Sequence, residues 1–199
     1  MIAERLLFLP GAGGEAAFWR PLAERLQHPA ERVLLGWPSV GVRSLDDLYR
    51  LVVERIDRPV DLIAQSMGGV LALRAALERP ERVRHLVLTA PSGGFDLTRH
   101  GAADWRPAWR ESRPAEPWWA DDRSDFEERL AEIAAPTLLL FGDADPISSV
   151  AAGRHLAIRL RDAELRVVAG GDHGFARDRA AEIAPHVERH LRRAAGGAG

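Results

Sequence analysis

The chain of 199 residues contains no cysteine. This absence excludes a disulfide framework, a thiolate metal site and a cysteine nucleophile, and it is consistent with a reducing compartment. The sequence also lacks a large excess of either positive or negative charge, since 27 basic and 29 acidic residues give a formal net charge of -2. The composition therefore predicts neither nucleic acid nor an anionic membrane as the main partner, and it favours small, neutral or weakly charged ligands.

Long hydrophobic runs are also missing near the start of the chain. The apolar run within MIAERLLFLPG spans only four or five residues, which is too short for the hydrophobic region of a signal peptide or for a membrane span. We therefore expect a cytoplasmic protein. A chain of this length typically forms one domain that buries ~70% of the surface exposed by its unfolded form. We predict a single domain over residues 1–199.

Short apolar runs alternate with longer segments of helical periodicity along the chain. Six of these runs are candidate strands, at residues 6–9, 32–35, 60–64, 85–89, 137–141 and 165–169. Such alternation predicts the α/β class, with a mostly parallel sheet flanked by helices.

Residues 92–124 interrupt the alternation, because they carry no strand pattern and are rich in Pro, Trp, Arg and Asp. A segment of this kind inside a compact domain is typical of a lid or an inserted cap. Its arginines suit a carboxylate-bearing substrate or a solvated surface. Its tryptophans either line an apolar substrate pocket or bury the cap against the sheet. The candidate substrate-binding residues are Trp105, Trp109, Trp118 and Trp119, together with Trp19 earlier in the chain.

The glycine-rich stretch FLPGAGGEAAFW follows the first candidate strand. Gly11, Gly13 and Ala16 have the loose spacing of a dinucleotide-binding loop, but a glycine-rich turn between strand and helix can equally direct its N–H groups at an oxyanion. A dinucleotide site also needs an acidic residue about 20 positions further on, at the end of the next strand. That strand ends in LLGWPS, without a carboxylate. The oxyanion interpretation is therefore favoured.

The stretch VDLIAQSMGGVLAL places Ser66 between a buried strand and a helix. The small residues Ala64 and Gly68 flank it, as a tight G-x-S-x-G nucleophile elbow requires, with Ala64 in place of the first glycine. Such an elbow exposes the serine hydroxyl beside a helix N-terminus, whose N–H groups favour developing negative charge. A serine at this point can also be a simple helix N-cap.

Two further stretches place an acid and a histidine after later strands. PTLLLFGDADPIS carries Asp143 and Asp145, and LRVVAGGDHGF carries His173 in a glycine-flanked turn. Serine, aspartate and histidine in this chain order, each at the carboxyl end of a parallel strand, match one known architecture of the catalytic triad.

With these motifs the chain resembles the α/β-hydrolase fold family over nearly its whole length. LPGAGGEAAFW is similar to the oxyanion loop of that family, with Pro10 where a histidine is usual, and AQSMGG is similar to its nucleophile elbow. FGDADP and GGDHGF are similar to its acid and histidine loops. The sheet of that family normally begins with an antiparallel hairpin, and this chain starts too late to contain one. We therefore expect a short form of the fold, with about six strands as counted from the apolar runs and a small cap at about residues 92–124.

The resemblance also implies a serine esterase-like hydrolase with a Ser-His-Asp triad. Ser66 would be the nucleophile and His173 the base, and Asp145, three residues after Gly142, would be the acid in preference to Asp143. The backbone N–H groups of Met67 and, by resemblance, Ala12 would form the oxyanion hole. The expected substrate is a small or medium-sized carboxylic ester or thioester. No metal and no organic cofactor are implied.

Other functions remain open because a fold does not determine a reaction. The same residues can serve an amidase, a cofactor-free lyase or a perhydrolase, and a non-catalytic receptor for a small ligand can retain the pocket. A dehalogenase is disfavoured, since its nucleophile would be an aspartate at the position of Ser66. His186 and His190 are four residues apart, but HVERH lacks the glutamate of the zinc-protease motif, so we expect both on an exposed helical face. We interpret His28, His85 and His155, which lie beside strand or helix ends, as surface or boundary residues.

Overall fold

Six parallel strands form the sheet of this protein, whose structure is a computed structural model that describes residues 3–38, 40–104, 106–107 and 118–194. All six strands predicted from the apolar runs are present, with ends shifted by one or two residues. The strands are β1 (Arg5–Leu9), β2 (Glu31–Leu34), β3 (Val60–Gln65), β4 (Val83–Thr89), β5 (Thr137–Gly142) and β6 (Ala163–Val168).

The order of the strands in the sheet is β2-β1-β3-β4-β5-β6, and every neighbouring pair is parallel. Strand β3 lies in the interior of the sheet and is buried along its whole length, as expected for a strand that helices cover on both faces. The edge strands β2 and β6 are mostly exposed or partly buried. All carboxyl ends of the strands therefore meet at one edge, where loops from distant parts of the sequence come together.

Helices cover both faces of the sheet, and two apolar cores result. On one face α2, α3 and α4 pack over alternate residues of the inner strands, and on the other face α1, α5 and α6 pack over the residues between them. No helix in the described ranges is long and apolar enough to cross a lipid bilayer. The helices are α1 (Arg20–Ala23), α2 (Leu45–Val53), α3 (Met67–Glu78), α4 (Val150–Arg159), α5 (Phe175–Asp178) and α6 (Ala180–Leu191).

Residues 92–124 lie above the carboxyl edge where the structure describes them, at 92–104, 106–107 and 118–124. These parts contain the 3₁₀ turns Leu97–His100 and Trp118–Asp121 and no strand of the sheet. The Phe126 N–H donates to the carbonyl oxygen of Gly94 at 2.7 Å, which brings the two ends of the segment together. A single domain with a cap at about 92–124 stays a prediction.

Three histidines are buried in the described part of the chain, namely His28 at 9% exposed, His85 and His190. His85 and His190 lie near the amino ends of the strands, on the far side of the sheet from the glycine-rich loops. His85 Nδ1 lies 2.8 Å from Asp61 Oδ1 within the sheet, and His190 donates from Nε2 to the carbonyl oxygen of Pro136 at 3.1 Å. The expectation of a surface or boundary position for His85 is therefore wrong, because this side chain is 4% exposed and held by a buried carboxylate.

The expectation of an exposed helical face is likewise wrong for His190, which is only 1% exposed. His190 lies three residues after Val187 and seven after Ile183, so it continues the buried stripe of α6. His186 is partly exposed. The difference between the two histidines follows from helical spacing, which places His186 outside that stripe.

Burial should make the stability of the fold depend on pH through His190. Burial, aided by the nearby His85, lowers the pKa of His190 from 6.5 to about 4. The unfolded chain therefore takes up a proton on His190 as the pH falls below about 6.5, whereas the folded chain does so only near 4, and stability is lost across this window. Between pH 7 and pH 5 the unfolding free energy of His190→Gln should therefore fall by about 1–2 kcal/mol less than that of the unsubstituted chain.

Urea unfolding of both proteins at pH 7 and pH 5 measures this effect. His186→Gln is the matched control on the same helix and should retain most of the pH dependence. An unchanged loss of stability in His190→Gln would contradict the prediction.

Candidate active site

Ser66 occupies a strained turn between β3 and α3. Its φ of 53° and ψ of -123° lie in a region that side chains of L-residues rarely adopt. Within the described residues, its hydroxyl makes no capping hydrogen bond to α3. The turn therefore has the geometry of a nucleophile elbow rather than that of a helix N-cap.

Glycines allow the chain to pack closely around this turn. A Cβ atom added at Gly68 would lie 2.6 Å from the carbonyl oxygens of both Leu9 and Pro10. A Cβ atom at Gly11 would overlap the side chain of Gln65 and lie 3.1 Å from the Cβ of Ser66. The first turn of α3 and the loop after β1 are thus in direct contact, which places this loop against Ser66.

Ser66, His173 and Asp145 form a continuous chain of hydrogen bonds. Ser66 Oγ lies 2.9 Å from His173 Nε2, and His173 Nδ1 lies 2.8 Å from Asp145 Oδ2. In a neutral imidazole with Nδ1–H donating to the carboxylate, Nε2 is free to accept the proton of the serine hydroxyl. Such an arrangement can activate a serine as a nucleophile.

The carboxylate of Asp145 is held from its other side by backbone. Its Oδ1 accepts from the N–H of Ile147 at 2.8 Å and of Ser148 at 3.2 Å. Asp143 points elsewhere, because its Oδ1 accepts from the N–H of Gly170. Of the two aspartates in the loop after β5, the structure therefore brings Asp145 to His173.

Two polar side chains that the sequence analysis did not single out also contact these residues. Ser92 Oγ lies 2.9 Å from Ser66 Oγ, and Gln65 Nε2 donates to the carbonyl oxygen of His173 at 3.0 Å. Because Ser66 gives its only proton to His173, the hydroxyl of Ser92 is the donor in the serine pair. The sequence places Ser92 just after the candidate strand at residues 85–89, but its contact with Ser66 follows from the pairing of β3 with β4, which the sequence does not show.

A cavity of about 760 Å³ opens above Ser66 at the carboxyl edge of the sheet. This volume is within the ordinary range of small-molecule sites. Ala12 and Met67 both lie on its wall, and Met67 is the first residue of α3, so its N–H has no acceptor within the helix. Apolar side chains form another part of the wall, namely Phe18, Val70, Leu97 and Ile147.

Charged side chains of both signs line the outer part of the cavity. Arg99 pairs with Asp96 at 3.3 Å, and Arg106 pairs with Asp104 at 3.4 Å. Hydrogen bonds from Thr98 lower the pKa of Asp96, so this carboxylate is ionised at neutral pH. Arg99 and Arg106 therefore lie beside carboxylates of the same wall.

The tryptophans expected to bind substrate are separated by the fold. Trp119 lines the cavity, whereas Trp118 packs against the core on the α3 face. Trp19 is 0% exposed, and in the core on the opposite face its ring is tilted against that of Phe8 and meets that of Phe18 edge to face. Trp19 is therefore a core residue, because the 3₁₀ turn that contains it directs its neighbour Phe18 to the cavity instead. Trp105 and Trp109 lie outside the described residues.

Comparison with known proteins identifies the family. The sequence profile of the alpha/beta hydrolase family matches residues 6–128, and that of TAP-like proteins matches residues 103–196. The chain therefore belongs to the alpha/beta hydrolase family, and the resemblance seen in its motifs is confirmed.

Relatives and solved structures agree with this assignment. A pimeloyl-acyl-carrier-protein methyl ester esterase of Legionella pneumophila (strain Corby) is 25% identical over 187 residues, covering 72% of this chain and 76% of the esterase. A 2-hydroxymuconate semialdehyde hydrolase of Pseudomonas sp. (strain CF600) is 40% identical over 76 residues, covering 37% of this chain and 27% of that hydrolase. The crystal structure of a membrane phospholipase A superposes with a TM-score of 0.76 at 21% identity, covering 95% of this chain and 78% of the phospholipase.

The close contact at Gly68 can be tested by substitution. In Gly68→Ala the new methyl group would lie 2.6 Å from two carbonyl oxygens. We expect the variant to lose roughly 1–3 kcal/mol of unfolding free energy through overpacking, despite the higher helix propensity of alanine. Urea unfolding at pH 7 measures this loss.

Gly13→Ala is the matched control in the loop after β1, because a Cβ at that position meets nothing within 4 Å. The control should stay within about 0.5 kcal/mol of the unsubstituted chain. Equal losses in both variants would refute the steric explanation.

Proposed function

We propose that this chain is a serine hydrolase that cleaves a carboxylic ester or thioester through an acyl-enzyme on Ser66. The observation that carries the proposal is the unbroken hydrogen-bond chain from Ser66 through His173 to Asp145. The series of hydrogen bonds ends at Ser66, on the wall of a cavity large enough for a small or medium-sized substrate. A receptor that only binds ligand would have no need of a strained serine paired with an oriented histidine.

Acylation begins when His173 Nε2 takes the proton of Ser66 and Ser66 Oγ bonds to the carbonyl carbon of the substrate. Asp145 keeps the imidazole in the required tautomer and stabilises the imidazolium that forms. The imidazolium then gives its proton to the leaving alcohol or thiol, and the carbon–heteroatom bond breaks. Water attacks the acyl-enzyme in the second half of the reaction, with His173 as base, and Ser66 regains its proton.

The backbone N–H groups of Met67 and Ala12 would stabilise the oxyanion of both tetrahedral intermediates. The free N–H at the first position of α3 and the positive end of its helix dipole support this role for Met67. The contact of Gly11 with Ser66 supports it for Ala12, since this contact fixes the loop beside the nucleophile. One donor of this kind typically contributes on the order of 10²- to 10³-fold in rate.

The apolar part of the cavity wall, with Phe18, Val70, Leu97 and Ile147, would receive an acyl or alkyl group. Similarity to an esterase that acts on a methyl ester supports an ester substrate. Residues 92–124 would form a cap over this group, with Trp119 as an aromatic contact. The proposed partner is a small molecule.

Hydrolysis of p-nitrophenyl acetate, butyrate and octanoate tests the proposal. Ser66→Ala and His173→Ala should each reduce kcat by at least roughly 10³-fold, because they remove the nucleophile and the base. Asp145→Asn should reduce kcat by about 10²- to 10⁴-fold, since the asparagine no longer stabilises the imidazolium.

Asp143→Asn is the matched control two residues away, and its kcat should stay within about threefold of that of the unsubstituted chain. Circular dichroism of every variant verifies that it is folded. Undiminished turnover in folded Ser66→Ala, or equal losses in the two asparagine variants, would contradict the proposed roles.

Ser92 provides a finer test of the same mechanism. Its hydroxyl donates to Ser66 Oγ at 2.9 Å, so it orients the nucleophile and stabilises negative charge on its oxygen. Ser92→Ala should lower kcat by roughly 3- to 30-fold with little change in KM, which is the effect of losing one such hydrogen bond. Ser92→Thr retains the hydroxyl and should recover most of this loss, whereas an unchanged kcat in Ser92→Ala would exclude the role.

A further inference from the structure

A second cluster of polar side chains lies beside the cavity and is distinct from the Ser66 site. His100, Glu127 and His155 each offer one ligand atom, and these three atoms lie within 4.8 Å of one another. His155 Nε2 is 2.9 Å from Glu127 Oε1. The imidazole rings of His100 and His155 stack with their centroids 3.9 Å apart and their planes inclined by 23°.

Three separate elements supply these side chains. His100 ends the 3₁₀ turn Leu97–His100, Glu127 begins the 3₁₀ turn Glu127–Glu132, and His155 lies in α4. All three side chains are partly exposed, so an ion in solution has access to them.

The backbone around the cluster is fixed by contacts that do not involve the three ligand atoms. Ser149 Oγ donates to the carbonyl oxygen of His100, and Arg159 donates to the carbonyl oxygen of Glu127 at 3.1 Å. The ring of Phe95 lies 5.8 Å from that of His100 and 5.6 Å from that of His155, measured between centroids. A bound ion would therefore leave both backbone contacts in place.

A simple ion pair between His155 and Glu127 is the alternative explanation of this cluster, but it does not account for the imidazole of His100 stacked on His155. Two imidazoles and one carboxylate together are a ligand set that suits zinc and related transition-metal dications.

We propose that His100, Glu127 and His155 bind a transition-metal dication of the zinc class. Two imidazole nitrogens, one carboxylate oxygen and a water molecule would complete a tetrahedral site. With metal–ligand distances of about 2.0–2.2 Å, the ligand atoms would come to roughly 3.3 Å from one another. Rotation of the partly exposed side chains provides this approach.

The ion would act as a cross-link in the wall of the cavity. His100 directly follows the cavity residues Leu97, Thr98 and Arg99, and His155 belongs to a helix that packs on β5 and β6. Among the described residues that line the cavity, none belongs to this trio. The proposed role is therefore structural, and it stands independently of the hydrolase mechanism.

Zinc titration of the tag-free, chelator-treated protein tests the site by calorimetry. We expect one equivalent to bind with a dissociation constant on the order of 10⁻⁶ M or lower, and Mg²⁺ to be a poor competitor because it prefers oxygen ligands. At a free zinc concentration of about 100 times the dissociation constant, Tm should rise by about 5 °C or more.

Two variants test the ligands, and two others serve as controls. His100→Ala and His155→Gln should each weaken zinc binding by at least about tenfold and reduce the rise in Tm to about half or less at the same zinc concentration. His186→Gln removes a partly exposed histidine elsewhere, and His173→Ala removes the histidine beside Ser66, so both should bind zinc as the unsubstituted chain does. The absence of saturable binding, or binding that only His173→Ala abolishes, would overturn the proposal.

Discussion

The strained turn at Ser66 is the constraint on which the rest of the site depends. A backbone in this region costs on the order of 1–3 kcal/mol and persists only where its surroundings impose it. Here the amide of Ser66 donates to the carbonyl oxygen of Thr89 at 3.1 Å, and the carbonyl oxygen of Ser66 accepts from Gly69 at 2.8 Å. Strand β3, buried on both faces, anchors one side of the turn, and the close contact of Gly68 with the loop after β1 anchors the other.

The parallel sheet brings residues together that are far apart in sequence. His173 is 107 residues from Ser66 and 28 from Asp145, yet hydrogen bonds join all three. The loops after β5 and β6 are themselves connected, since the Ala144 amide donates to the carbonyl oxygen of Gly171 at 3.0 Å. The fold thus supplies a preorganised framework for the proposed chemistry, and each element requires only a short loop to reach the common edge.

Much of this arrangement could be predicted from the sequence, because buried strands and tight turns leave strong local signals. The apolar runs located every strand, and the small residues around Ser66 located the elbow. Side-chain directions could not be predicted in the same way. Trp19 and Phe18 are adjacent, yet one enters the core and the other the cavity. Ser92 and the trio of His100, Glu127 and His155 depend on how distant elements pack, which no local pattern encodes.

The central claim is that Ser66 is the residue that becomes acylated. The most direct measurement is mass spectrometry of the folded protein after reaction with a fluorophosphonate probe, followed by peptide mapping. We expect a single adduct on Ser66, formed rapidly by the unsubstituted chain and only slowly when His173 is replaced by alanine. A folded protein that stays unlabelled, or an adduct that maps to Ser92 instead, would contradict it.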